Sequence, residues 1–198
     1  ATCFGCFACY KNCGGVCGPK YSNHNLRRAL EDRFGNMRLG DSLVPVQVVA
    51  YDMANNRPIY FDSYKTPNVR FVDAALCSSA APTFFKGVSI PSGDGSTYQC
   101  VDGGIFDNSA AMAALRLGVR HFKASVEGDE DEIPNLHQFT LLSIGTGEEL
   151  KPSQYKRLKH AGVLTWASQI VGMGITGTTQ STHVNMSQLY ALYYDGRQ

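Results

Sequence analysis

Apolar residues along the chain recur in two rhythms, and each rhythm predicts an element. Leu26, Leu30 and Phe34 repeat every fourth position, Ser22 or Asn23 can cap, and Gly35 supplies a stop, which predicts a helix beginning near Tyr21. Leu43 to Asp52 is dense in β-branched residues and predicts a largely buried strand. A turn signal at Asn55-Asn56-Arg57-Pro58 leads into Ile59-Tyr60-Phe61 as the return strand of a hairpin. Val72 to Ala81 predicts a short helix of small residues closed by Pro82. Gly87 to Thr97, rich in Gly, Pro, Ser and Thr, predicts a loop. Tyr98 to Asp102 predicts a short strand that runs into Gly103-Gly104, with a helix following from Asn108 to Leu117. Phe139 to Ile144 predicts a second buried strand ending at Gly145-Thr146-Gly147, and a helix carrying Trp166 is expected around Tyr155 to Val171. Met173, Ile175 and the glycines near them read as a flexible surface loop rather than a lipid-facing one. Strands alternating with helices predict an α/β fold, a layered sheet with flanking helices.

Composition narrows this picture without changing it. The 198 residues are 43% apolar and 18% charged, as in an ordinary globular domain with a substantial core. Lys and Arg number 18 against 17 acidic residues, and no basic block could neutralise a row of phosphates, so nucleic acid is not an expected partner. No apolar run approaches the roughly 18 residues that span a bilayer. The start, Ala1, lacks the basic and apolar regions of a secretion signal. Glu127 to Glu132 holds five acidic groups and reads as a solvated surface loop, since no His or Cys flanks it.

The first 17 residues carry five cysteines. Cys3, Cys6, Cys9 and Cys13 have the spacing with which ferredoxin-type proteins hold an iron–sulfur cluster, and four thiolates could also hold zinc. A ferredoxin-type run is usually followed by Pro and accompanied by a second run, whereas here Gly14 follows and no second run exists. The nearest zinc-like pair, Cys3 and Cys6, has no distal partner pair. Residues 1–17 are therefore expected to be an irregular Cys-rich end without a metal. Only Cys77 and Cys100 lie beyond it, which argues against a disulfide-built scaffold and favours a reducing, cytoplasmic setting.

Two segments carry chemistry that generic core does not. One is Ser78-Ser79-Ala80-Ala81-Pro82-Thr83-Phe84-Phe85 and the other is Val101-Asp102-Gly103-Gly104-Ile105-Phe106-Asp107-Asn108. An Asp at the carboxyl end of a strand, before two glycines and a helix, sits where α/β proteins build active sites. The glycines permit unusual backbone angles or the close approach of another segment, and such a carboxylate can take a proton from a hydroxyl nucleophile. A turn or capping aspartate is an equally good reading of the motif by itself.

Order and spacing add a further observation. Ser79-Ala80-Ala81-Pro82-Thr83-Phe84-Phe85, Asp102-Gly103-Gly104 and Ser143-Ile144-Gly145-Thr146-Gly147 follow one another as in the patatin-like phospholipase family, which the chain resembles over roughly residues 18 to 195. Gly18 to Ser22 and Pro45 to Asp52 also resemble that family's middle section. The resemblance implies a Ser–Asp dyad that hydrolyses lipid esters, with contact at a membrane surface and no cofactor. Asp102 would be the base that accepts the serine proton, with Gly103 and Gly104 supporting it. The family often follows this motif with Asn-Asn-Pro, whereas Asp107-Asn108-Ser109 stands here, a change at a helix start that does not touch the base.

No serine of the chain lies in G-x-S-x-G, the turn that exposes the family's nucleophile, and the nearest approach, Gly87-Val88-Ser89-Ile90-Pro91, has Pro at the second Gly. The family's glycine-rich loop for an oxyanion is missing as well. Residues 18–198 are thus expected to be the C-terminal part of a patatin-like domain, inactive on its own for want of the serine. Two alternatives stand beside this: an iron–sulfur or zinc protein using the four cysteines, and a non-catalytic lipid-binding relative.

Overall fold

In the computed structural model, which describes residues 18–125, 135–147 and 155–195, the first helix is α1, His24–Phe34. Leu26 and Leu30 turn its apolar stripe onto the core, and Gly35 ends it at φ 50° with its N–H bonded to the Glu31 carbonyl. Of the two capping candidates, Ser22 accepts the His24 N–H on its hydroxyl at 3.2 Å, and the Asn23 side chain does not cap. Asn23 contributes its backbone carbonyl to Arg27, while its side-chain amide donates to the Lys86 carbonyl.

Among the described residues four strands, β1 (Gln47–Asp52), β2 (Arg57–Asp62), β3 (Val88–Pro91) and β4 (Thr97–Asp102), form one antiparallel sheet in the order β2-β1-β4-β3. The β1–β2 hairpin is the predicted one, with Asp52 opposite Arg57 and Asn56 at φ 49° in the turn. The strand begins later than predicted because Pro45 has no N–H for a ladder and the Val46 N–H is taken by the Ser63 hydroxyl. Leu43 and Val44 consequently lie outside it, exposed.

The loop predicted over Gly87 to Thr97 contains β3. Val88 and Ile90 alternate inward, and Pro91 is tolerated because β3 is an edge strand. The true turn is Ser92 to Ser96, where Gly93 and Gly95 hold φ near 90°. Helix α2, Phe71–Ser78, covers the sheet and buries Val72, Ala74, Leu76 and Cys77. Phe61 is fully buried on β2 and meets the Tyr98 ring edge-on at 5.4 Å. The result is the predicted class, an α/β fold in which helices flank a sheet.

The described chain divides into two compact units, the first ending at Gly104 and the second beginning at Ile105. The boundary falls inside a four-residue helix, α3, Gly104–Asp107. Instead of one helix from Asn108 to Leu117, the chain breaks at Ala110, held at φ 49° with its N–H on the Asp107 carboxylate. It resumes as α4, Ala111–Ser125. Within the second unit, Phe122 packs edge-on to Phe139, and the close face of Gly118 lies against the same ring.

The strand predicted over Phe139 to Ile144 is not formed; Leu142 and Ile144 are 79% and 83% exposed. A strand needs a ladder partner, and every described strand lies between residues 47 and 102. The predicted Tyr155–Val171 helix is instead a short α5, Tyr155–Leu158, followed by α6, Val163–Asp195. Met173 and Ile175 are therefore helical, not a loop. Gly172, Gly174 and Gly177 each weaken a helix by about 1 kcal/mol, yet α6 runs on, with Thr178 and Thr179 hydroxyls donating to the Ile175 carbonyl. No helix among the described residues is long and apolar enough to cross a membrane.

Candidate active site around Asp102

Asp102 closes β4, opposite Ala50 on β1. Its N–H donates to the Ala80 carbonyl at 3.0 Å, which ties the second chemical segment of the sequence to the first. The side chain is half-buried. Oδ1 accepts the Gly104 N–H at 2.7 Å, and Oδ2 accepts no hydrogen bond among the described residues. The turn contact expected of an ordinary Asp-x-Gly is thus present, and it occupies only one of the two oxygens. Burial pushes the carboxyl pKa above its ordinary value, and the Gly104 N–H only partly opposes the rise.

Gly103 is required by space rather than by backbone angle. Its φ lies outside the left-handed region, but a Cβ there would sit 2.7 Å from Val49 Cγ1 and 2.8 Å from the Val49 carbonyl. Only glycine lets β4 leave β1 at this point. The Asp102 carboxylate and the Gly104 amide follow directly from that path.

The two fully buried aspartates of this unit have partners on both oxygens, from their own turns and from neighbouring strands. Asp52 accepts the Asn55 amide at 2.7 Å and the backbone N–H groups of Ala54 and Gln99. Asp62 accepts the N–H groups of Tyr64 and Lys65 and the Gln47 amide. Asp102 differs from both in keeping an oxygen without a partner among the described residues.

The serines near Asp102 in sequence are committed elsewhere. Ser79 donates its hydroxyl back along α2 to the Ala75 carbonyl at 2.8 Å and to Leu76. No serine hydroxyl among the described residues is hydrogen-bonded to Asp102. The third motif, Ser143 to Gly147, is irregular and exposed in the second unit. Cys3, Cys6, Cys9 and Cys13 lie outside the described residues, as does the acidic run Glu127 to Glu132. Among the described residues no three His, Cys, Asp or Glu side chains gather in a way that could hold a metal.

Sequence reasoning missed one part of this neighbourhood. Lys20 and Tyr21 donate their N–H groups to the Thr83 and Phe84 carbonyls at 2.9 and 2.8 Å. This seats the Gly18–Ser22 segment alongside the loop that follows Ala80. The only signal available was that both segments belong to the same set of motifs.

Comparison with known proteins agrees with the motifs. A family model described as patatin-like phospholipase matches residues 17–115. Patatin-like protein 2 of Arabidopsis thaliana is 28% identical over 165 residues, covering 75% of this chain and 40% of the relative. Patatin-like protein 2 of Oryza sativa subsp. japonica is 26% identical over 196 residues, covering 89% and 48%. Probable inactive patatin-3-Kuras 1 of Solanum tuberosum is 23% identical over 184 residues, covering 87% and 49%. The chain thus spans less than half the length of each of these relatives.

Proposed function

The chain belongs to the patatin-like phospholipase family, and from that premise we propose that Asp102 is the general base of a Ser–Asp lipid acyl hydrolase. A serine on a G-x-S-x-G turn, absent from these 198 residues, attacks the ester carbonyl and passes its proton to Asp102 Oδ2. The new carboxylic acid returns that proton to the leaving alkoxide, and a water molecule repeats the cycle on the acyl-serine. Residues 18–198 would then form the base-bearing part of the catalytic domain, inert toward esters without the serine.

One observation carries this reading. Asp102 has one oxygen fixed by the Gly104 N–H, the other without a partner among the described residues, and a pKa raised by burial. A raised pKa makes the carboxylate a stronger proton acceptor at neutral pH, while the fixed oxygen holds it in one orientation. The test is Asp102→Asn in the complete protein, assayed on a soluble short-chain ester. Turnover is expected to fall about a thousandfold with the thermal transition retained. Near-full activity in that variant would end the assignment.

The name of one relative, a probable inactive patatin, favours a second reading in which the fold binds lipid without hydrolysing it. In that case the complete protein and the Asp102→Asn variant would show the same absence of turnover.

A further inference from the structure

The loop that leaves Ala80, whose carbonyl receives the Asp102 N–H, carries exposed aromatic side chains. Thr83 is held at φ 73°, an unfavourable angle for a β-branched residue. Phe84 and Phe85 follow it, both with N–H groups on the Ala81 carbonyl. The backbone bonds from Lys20 and Tyr21 bring a second aromatic ring and a cation to the same place. Tyr21 stacks on Phe84 at 6.4 Å and meets Phe85 at 5.7 Å. The Lys20 ammonium lies 5.1 Å from the Tyr21 ring centre and 5.9 Å from that of Phe84. Tyr21 and Phe84 nevertheless remain 48% and 47% exposed.

We propose that Lys20, Tyr21, Phe84 and Phe85 form a docking surface for a bilayer with anionic headgroups, and that it seats the Asp102 site at the lipid interface. Exposed rings with a lysine among them match the headgroup zone, where rings reach the acyl boundary and ammonium groups meet phosphate. The exposed Lys20 ammonium over two rings places a cation and apolar ring faces together on one surface. Two short segments separated by some sixty positions build the patch, so it has no amphipathic periodicity in sequence. Its distance along the chain from the site is small. Ala80, whose carbonyl receives the Asp102 N–H, is three residues before the strained Thr83.

This inference rests on the lipid-ester reading for its direction, and its test is built to be read separately. The complete protein is sedimented with vesicles of phosphatidylcholine alone and with a minority of phosphatidylglycerol. The double variant Tyr21→Ser/Phe84→Ser is expected to bind both about tenfold more weakly. Lys20→Gln should lose a few-fold on the anionic vesicles only, a difference that added salt removes. In both variants hydrolysis of a soluble ester stays as in the parent, and thermal melts show that the fold is kept.

Asp102→Asn is expected to bind vesicles like the parent, so loss of the base and loss of docking are distinguishable. If Asp102→Asn still hydrolyses the soluble ester, the catalytic reading fails while the vesicle comparison stands. Unchanged sedimentation of the double variant overturns the docking proposal. So does a parent that ignores vesicles while the double variant changes its oligomeric state, which would make the patch a protein interface.

Discussion

Asp102 and Asp52 lie on the paired strands β4 and β1, yet burial acts on them with opposite net results. Burial raises the Asp102 pKa with only the Gly104 N–H against it. Burial also works to raise Asp52, but the Asn55 amide, the Gln99 and Ala54 N–H groups and the Arg57 charge outweigh it, so its pKa falls. The fold therefore disfavours ionised Asp102. The stability that Asp102 contributes is complete below the unfolded carboxylate pKa of about 3.9 and is lost as pH rises through its higher folded value.

Asp102→Asn keeps an oxygen for the Gly104 N–H and removes the charge. It is expected to melt above the parent at about pH 7 and to match it near pH 3 in scanning calorimetry. Asp52 has the opposite sign: its contribution is present above the unfolded pKa and lost as pH falls through its lower folded one. Asp52→Ala strands three donors and should cost about 3 kcal/mol at neutral pH by urea denaturation, less in acid. Gly103→Ala forces a methyl group against the Val49 backbone and should cost about 2 kcal/mol, with ester turnover falling because the Asp102 carboxylate is displaced. The importance of Gly103 was legible in the sequence, but its reason was not. The motif allowed either a special φ or a close approach, and only the position of Val49 decides for the second.

At the level of elements, local signals were read well where local chemistry decides. Gly35 stops α1 and Asn56 turns the first hairpin, both at positive φ as their residue types suggest. Where pairing decides, the sequence misled. Val88 to Pro91 looks like a loop because its neighbours are Gly, Ser and Pro, yet β4 offers it a ladder and two inward positions. Phe139 to Ile144 has the composition of a buried strand, yet no described strand pairs with it. In α6 the glycines suggested an end that thirty-three residues of helix override. Ser79 belongs to the same lesson. It stands in the most recognisable motif, but its hydroxyl completes the last turn of α2. Ser79→Ala should change stability by less than about 1 kcal/mol and leave ester turnover of the complete protein as it was.

Over the whole molecule, the family was legible because it rests on ordered motifs, and the fold class because strands alternate with helices; Asp102 as base is the proposal made above. The docking surface was not legible, since it exists only once Lys20 and Tyr21 are bonded to the Thr83–Phe84 loop. The nucleophile is a separate matter: no G-x-S-x-G occurs in these 198 residues. The 198-residue chain by itself is accordingly expected to release no acid from a chromogenic ester, whereas a protein joining it to such a serine should. The most direct measurement is the rate at which a fluorophosphonate, which reacts only with an activated serine, labels the complete protein with Asp102 intact and as Asp102→Asn. Rapid labelling of a serine outside residues 1–198, slowed at least about a hundredfold in the variant, is the predicted result. Equal rates in the two proteins would contradict the account.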